Sequence, residues 1–419
     1  MITSPGIELT PAEQERQLQL QMSARSPDLM RFTGGLWWSL LPASSLAGHS
    51  VGVSGEWPDH YRHAGASMAQ TVARVSRPNP LLRSVGAFDL TLLVGAILPL
   101  AVITLTFDVA AADREQGRWG LVRAHASSLP RLIISRCFVR VGALALLVIV
   151  LTASSVLILP TGQWDAAAVG NVLIWGAWLS AYMAFWATLA ILSNALPLSA
   201  SGAGLLLLLS WFITVIAVPT VVERVINRSE RMSQQSELLA FEADVRRQSE
   251  LEADEVWAEF REQHPEIQLD QESPQQEQLL RDMALSEVIR SRVRTRTEAY
   301  FRRFLNRDDV LDRLQLLTPL LAWRTAADQC AGTSLRHYVE FAQQTAAFHE
   351  EFLSCFEPMS LDGRELSLSD IQNIPQFDAR QLQRRLHLPP LLLSAVSLAT
   401  WIAACGFMAR WCFRRNANQ

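Results

Sequence analysis

The chain has 419 residues, a net charge of −4, 49% hydrophobic residues and 19% charged ones. All 37 basic residues are Arg, which excludes a Walker-type nucleotide site and lysine Schiff-base chemistry, because both need a lysine nitrogen. The acidic balance offers no basic face to nucleic acid, and five Cys are too few for a disulfide scaffold.

The apolar residues are clustered. Residues 1–89 contain one short apolar core, Leu36–Leu41, within a stretch Phe32–Leu46 that Gly34, Gly35 and Pro42 interrupt. It is a poor export signal and a poor span. Gly48-His49-Ser50-Val51-Gly52 fits the G-x-S-x-G spacing of a nucleophile elbow, but that elbow needs a strand before it and a helix after it, and neither is visible in the sequence. His49, His60, His63 and Asp59 carry ligating atoms at weak spacing, with no helix to orient them, and no metal site is expected.

Five runs then follow that are long and apolar enough to cross a bilayer: Leu90–Ala110, Val141–Leu159, Val169–Leu192, Gly202–Val222 and Leu388–Phe407. The expected fold class is an all-α polytopic membrane protein. Arg114, Arg118, Arg123, Arg131, Arg136 and Arg140 lie between the first two runs, and Arg410, Arg414 and Arg415 follow the last. The positive-inside bias puts the 111–140 loop and the C-terminus in the cytoplasm. Parity then places residues 1–89 and 223–387 outside, and points to a further span upstream of residue 1. The expected units are an extracytoplasmic segment 1–89, a four-helix membrane region 90–222, an extracytoplasmic domain 223–387, and a last span with its tail, 388–419.

Within 223–387, Leu238, Phe241 and Val245 recur at helical spacing, and so do Leu280, Met283, Ile289, Val293, Tyr300 and Phe304. His264-Pro265 and Pro274 break the pattern between them, so an antiparallel helical hairpin is expected. A more apolar helical part, Leu311–Cys355, follows it. Cys330 and Cys355 both fall in this unit; a disulfide between them and a pair of free thiols both remain open. In the third run Trp175, Trp178, Tyr182 and Trp186 share helical spacing, which reads as interhelix packing ahead of a substrate path.

Asp113–Pro130 is the most informative stretch. Asp113-Arg114-Glu115-Gln116-Gly117-Arg118-Trp119-Gly120 and then Leu121-Val122-Arg123 set mixed charge beside apolar residues, as in an element that docks on a membrane surface or a partner.

A span ending in Phe107-Asp108, then Asp113-Arg114-Glu115-Gln116-Gly117, then Pro130 and Arg136, resembles the permease subunits of the type-two export class of ABC transporters. The closer likeness is to a subgroup with a large helical outer domain before the last span, labelled as permease components linked to multicopper-enzyme maturation. Leu41-Pro42, Pro58-Asp59-His60-Tyr61, Pro78-Asn79-Pro80, Phe88-Asp89 and Ala331–His337 carry that likeness, which runs over residues 36–415. In this chain Arg118-Trp119 replaces the family's Thr-Leu, and the family's first span is not seen before residue 90. The resemblance implies a non-enzymatic inner-membrane subunit. It would pair with a second permease subunit and with a separate ATPase that carries the ATP and Mg. Asp113, Arg114, Glu115 and Gly117 would form the coupling segment, with Trp119 and Val122 as its apolar contact. The alternative is a non-transporting membrane-anchored assembly or sensing protein that binds a partner through its outer helices.

Overall fold

The computed structural model describes residues 37–54, 57–63, 71–72, 89–125, 128–157, 166–229, 235–265, 274–361, 375–378, 382 and 386–417. A small antiparallel sheet of order β1-β2-β3 comes first: β1 Trp37–Leu40, β2 His60–His63 and β3 Thr71–Val72. The short apolar run at Leu36–Leu41 is therefore largely a strand, registered Leu40 to His60 and Trp37 to His63.

Five helices are long and apolar enough to cross a membrane, and the chain is a multi-pass membrane protein. The first, α1, covers residues 90–106 and leads through a turn into α2, Ala111–Glu115. After α3, Trp119–His125, come α4, Leu129–Leu157, and α5, Ala166–Ala195. Helix α6 runs over residues 200–229, and α12 covers Leu388–Ala417. Helix α4 starts a full three turns before the apolar run at Val141, because Arg131, Arg136 and Arg140 continue the helical pattern beyond the apolar window. Helices α4 and α12 both pack on α5, the central helix.

Two spans carry a π-helical turn, Leu93–Ile97 in α1 and Phe212–Ala217 in α6. Each turn closes just before a proline, Pro99 or Pro219. Proline has no N–H to return to the carbonyl four residues earlier, and the freed carbonyls need other donors in a water-poor bundle. Side chains supply them. Tyr182 Oη donates to Gly95 O at 2.7 Å, the carbonyl that Pro99 leaves open. Trp211 Nε1 donates to Ala96 O at 2.8 Å, and Thr318 Oγ1 to Thr214 O at 2.7 Å.

The expected hairpin is present. Helix α7, Gln235–Leu251, and α8, Ala253–Gln263, run back along α9, Pro274–Leu314. The antiparallel register shows in Arg296 over Phe241 at 4.6 Å, Arg292 to Glu252 at 2.8 Å and Arg281 to Asp254 at 3.2 Å. Helix α11, Leu335–Leu361, also packs on α9.

Helix α10, Pro319–Ala331, departs from that outer unit. It wedges into the span bundle against α5 and α12. Ala322, Trp323, Ala327, Cys330 and Ala331 belong to the same buried cluster as Val94, Trp175, Tyr182 and Leu398. The Trp323 ring stacks on Tyr182 at 5.8 Å and meets Trp175 edge-on at 5.3 Å, while Trp323 Nε1 donates to Thr91 O at 3.1 Å. Gly95 makes room for it: a Cβ there would come within 2.6 Å of Leu320.

Candidate functional site

At the end of the bundle opposite the sheet, α2 and α3 are held by charged side chains whose partners are helix ends. Asn194, buried near the end of α5, bridges the break between α1 and α2. Its Oδ1 accepts from Ala110 N at 2.8 Å, and its Nδ2 donates to Thr106 O at 2.8 Å. Arg114 donates to Leu196 O at 2.6 Å and Asn194 O at 2.9 Å, orphan carbonyls at the C-terminal end of α5. Glu115 accepts from Ala200 N at 2.8 Å, in the first turn of α6. The cation thus meets a helix C-terminus and the carboxylate a helix N-terminus, the signs that the two helix dipoles favour.

Asp113 ties the same segment to α4. Its carboxylate accepts from Arg136 at 2.7 Å and from Arg118 at 3.3 Å, and its side chain keeps only 12% of its surface exposed. Arg140, one turn beyond Arg136, donates to Leu105 O at 2.5 Å and lies 3.6 Å from Asp108. Three adjacent residues of the sequence motif, Asp113, Arg114 and Glu115, therefore reach the ends of three separate spans. Gly117 turns the chain between α2 and α3 with φ +71°, in the left-handed region. Nothing lies within 4 Å of where its Cβ would be, so backbone conformation rather than crowding selects glycine there.

Trp119 and Val122 were expected to form the apolar contact of this segment. Trp119 is partly buried, packed on a patch of Val109, Ala110, Ile133, Ile191 and Ala409, under the Arg114 guanidinium at 4.7 Å. Val122 is half-buried. The apolar side chain that α3 turns to solvent is Leu121, 64% exposed, between the exposed Arg118 and Arg123. Asn194 was not among the expected site residues, and Leu121 was expected only as one apolar residue of the amphipathic segment, not as its outward contact. An Asn in the last turn of an otherwise apolar span was the signal for the first, and helical spacing alone gave none for the second.

The other sequence features resolve as structure. Ser50 is fully buried and its hydroxyl donates to Asp328 on α10, in a turn that no helix follows. The elbow geometry of a serine hydrolase is not formed there. Burial pushes the Asp328 carboxyl up to about 6, against the opposing pull of Arg324. Gly52, with φ +51°, lies so close to α10's end that a Cβ would stand 2.4 Å from Thr333 O, and Val53 N donates to that carbonyl at 3.1 Å. His60 Nδ1 pairs with Asp59 at 2.6 Å on β2, and the His63 side chain lies outside the described residues. Trp175, Tyr182 and Trp186 are buried between helices, with Trp178 packed at their margin, which is the packing role expected of that set.

The disulfide left open between Cys330 and Cys355 is not formed; both thiols are free. Cys330 is sealed at the end of α10, where burial pushes its thiol up to about 12. Cys355 lies twenty residues along α11 from Leu335, roughly 30 Å away at 1.5 Å per residue.

A protein-family model described as "Domain of unknown function (DUF3526)" matches residues 228–380. The match begins at the last turn of α6 and takes in α7–α11, including the wedge helix α10. No curated protein and no solved structure matches the chain.

Proposed function

We propose that the chain is the membrane-spanning permease subunit of an ABC transporter, working with a separate ATPase that binds ATP and Mg. A second permease subunit completes the assembly. One observation carries this reading. The α2–α3 segment presents Leu121 and two Arg to solvent while Asp113, Arg114 and Glu115 connect it to α4, α5 and α6. A push on α3 from a docked ATPase would therefore reach three spans through hydrogen bonds, and packed helices respond to such a push by shifting between discrete arrangements. In this reading α3 and the C-terminus face the cytoplasm of a cell with an inner membrane, and α7–α9 and α11 face outward.

The test is copurification of the ATPase. Leu121→Asp should cut ATPase recovery by at least tenfold, as losing a central apolar contact of a small interface does, while the protein's melting temperature stays put. Unchanged recovery removes α3 as the docking element. If no ATPase copurifies with the unmutated chain, the better reading is a membrane-anchored assembly or sensing protein acting through residues 228–380, the part that matches a family model. Orientation has its own check. Cys355 is half-buried on α11 and Cys412 half-buried on the final turns of α12, so an impermeant maleimide should label Cys355 in intact spheroplasts and Cys412 only once detergent has opened the membrane and stripped bound lipid.

A further inference from the structure

Near the α3 end of the bundle, α5, α6 and α12 diverge and leave a groove of about 310 Å³, half open to the surroundings. Leu189, Leu207, Ser210, Met408, Trp411 and Cys412 are among its walls, and none of its lining residues is charged. It lies within the apolar lengths of the three spans, so its occupant is apolar. Its rim has a different character. Arg410, Arg414 and Arg415 are exposed on α12, and the Arg415 guanidinium lies 5.6 Å over the ring of Trp411, a wall of the groove.

No acidic residue occurs in α12. The carboxylates at this end of the bundle are engaged elsewhere: Asp113 with Arg136 and Arg118, Asp108 with Arg140, and Glu115 with the Ala200 amide. Among the described residues no ion pair involves Arg410, Arg414 or Arg415. An apolar slot at bilayer depth, closed at its rim by an aromatic ring and unpaired guanidinium groups, matches one molecule in charge and polarity. We infer that the groove holds a single anionic phospholipid from the leaflet at the α3 end. One acyl chain lies between α5, α6 and α12, and the headgroup phosphate accepts from Arg414 and Arg415. Arginine forks suit phosphate oxygens, and basic pockets between membrane helices favour anionic headgroups.

Cys412 supplies a native reporter, because it is a wall of the groove. Full-length protein, stripped of lipid in detergent, would be alkylated with a maleimide and Cys412 followed by peptide mass spectrometry. Added phosphatidylglycerol should slow Cys412 alkylation on the order of tenfold more effectively than phosphatidylcholine. Arg414→Gln with Arg415→Gln should abolish that preference, and Ser210→Trp, which fills the slot, should abolish lipid protection altogether while protecting Cys412 by itself. Cys355, on the outer helices, serves as the internal control and should not respond to lipid. Equal protection by both lipids overturns the proposal. So does protection that follows protein concentration instead of lipid, because a second copy of the chain would then be the occupant.

Discussion

The two ends of the span bundle are closed in opposite ways. At the α3 end the closure is electrostatic: Arg114, Glu115 and Asn194 satisfy helix termini that would otherwise be orphaned, and Asp113 pairs with Arg136 of α4. At the sheet end it is steric: α10 drives Trp323 between α1 and α5, and the 44–53 turn locks down on α10 through Ser50 and Gly52. A polar clamp can be rearranged one hydrogen bond at a time, at roughly 0.5–1.5 kcal/mol each. A buried tryptophan offers no such intermediate states. The comparison makes the α3 end the adaptable one and the sheet end the rigid one.

The largest effect should come from breaking the rigid end. Trp323→Ala removes a fully buried ring with two aromatic neighbours and a hydrogen bond, at a cost of about 3–5 kcal/mol. Thermal unfolding in detergent should show a drop of many degrees. Trp119→Ala, at the other end, should cost far less, since its ring is only partly buried. Equal losses would erase the contrast.

Next in size is Asp113→Ala, which strands Arg136 and Arg118. A loss of about 1–3 kcal/mol is expected for a partly buried, hydrogen-bonded ion pair that loses one partner. Pairing the change with Arg136→Ala should recover part of that loss in a double-mutant cycle. Additivity would mean that the clamp is decorative.

Gly52→Ala should destabilise the sheet end by about 1–3 kcal/mol through backbone strain and collision with Thr333, read as faster proteolysis within residues 37–63. A neutral outcome would show that the 44–53 turn is not locked to α10.

The smallest effect is a pH dependence at the same place. The Asp328 carboxyl is raised to about 6, chiefly by burial. A carboxyl raised in the folded state is protonated there while its unfolded form is ionised. Its contribution is therefore present at low pH and is lost as pH climbs from about 4 through 6. Elsewhere His349, lowered to about 4 mainly by burial, runs the other way and weakens the fold as pH falls from 6.5 towards 4. The two are separated by comparing melting curves over pH 4–7. Asp328→Asn should flatten only the loss that develops as pH rises from about 4 to 6, and a curve identical to that of the unmutated protein would assign the dependence elsewhere.

The residues themselves determined the five spans, because some twenty consecutive apolar side chains leave the backbone no alternative to helix in a bilayer. They also determined the hairpin, through apolar spacing interrupted at Pro265 and Pro274, and the place of the α2–α3 segment, through its charge pattern and Gly117. Only the tertiary structure decided that α10 belongs to the bundle. Its thirteen residues include Arg324 and Asp328, too short and too polar to read as a membrane element, and its burial depends on the gap that Gly95 leaves in a different helix. The same holds for the π turns, whose freed carbonyls are satisfied by Tyr182, Trp211 and Thr318 from far along the chain. It holds too for the outward face of α3, where Trp119 is drawn in by a patch assembled from α4, α5 and α12 and Leu121 is left outside. Periodicity is a property of one segment, and these contacts depend on which segments meet.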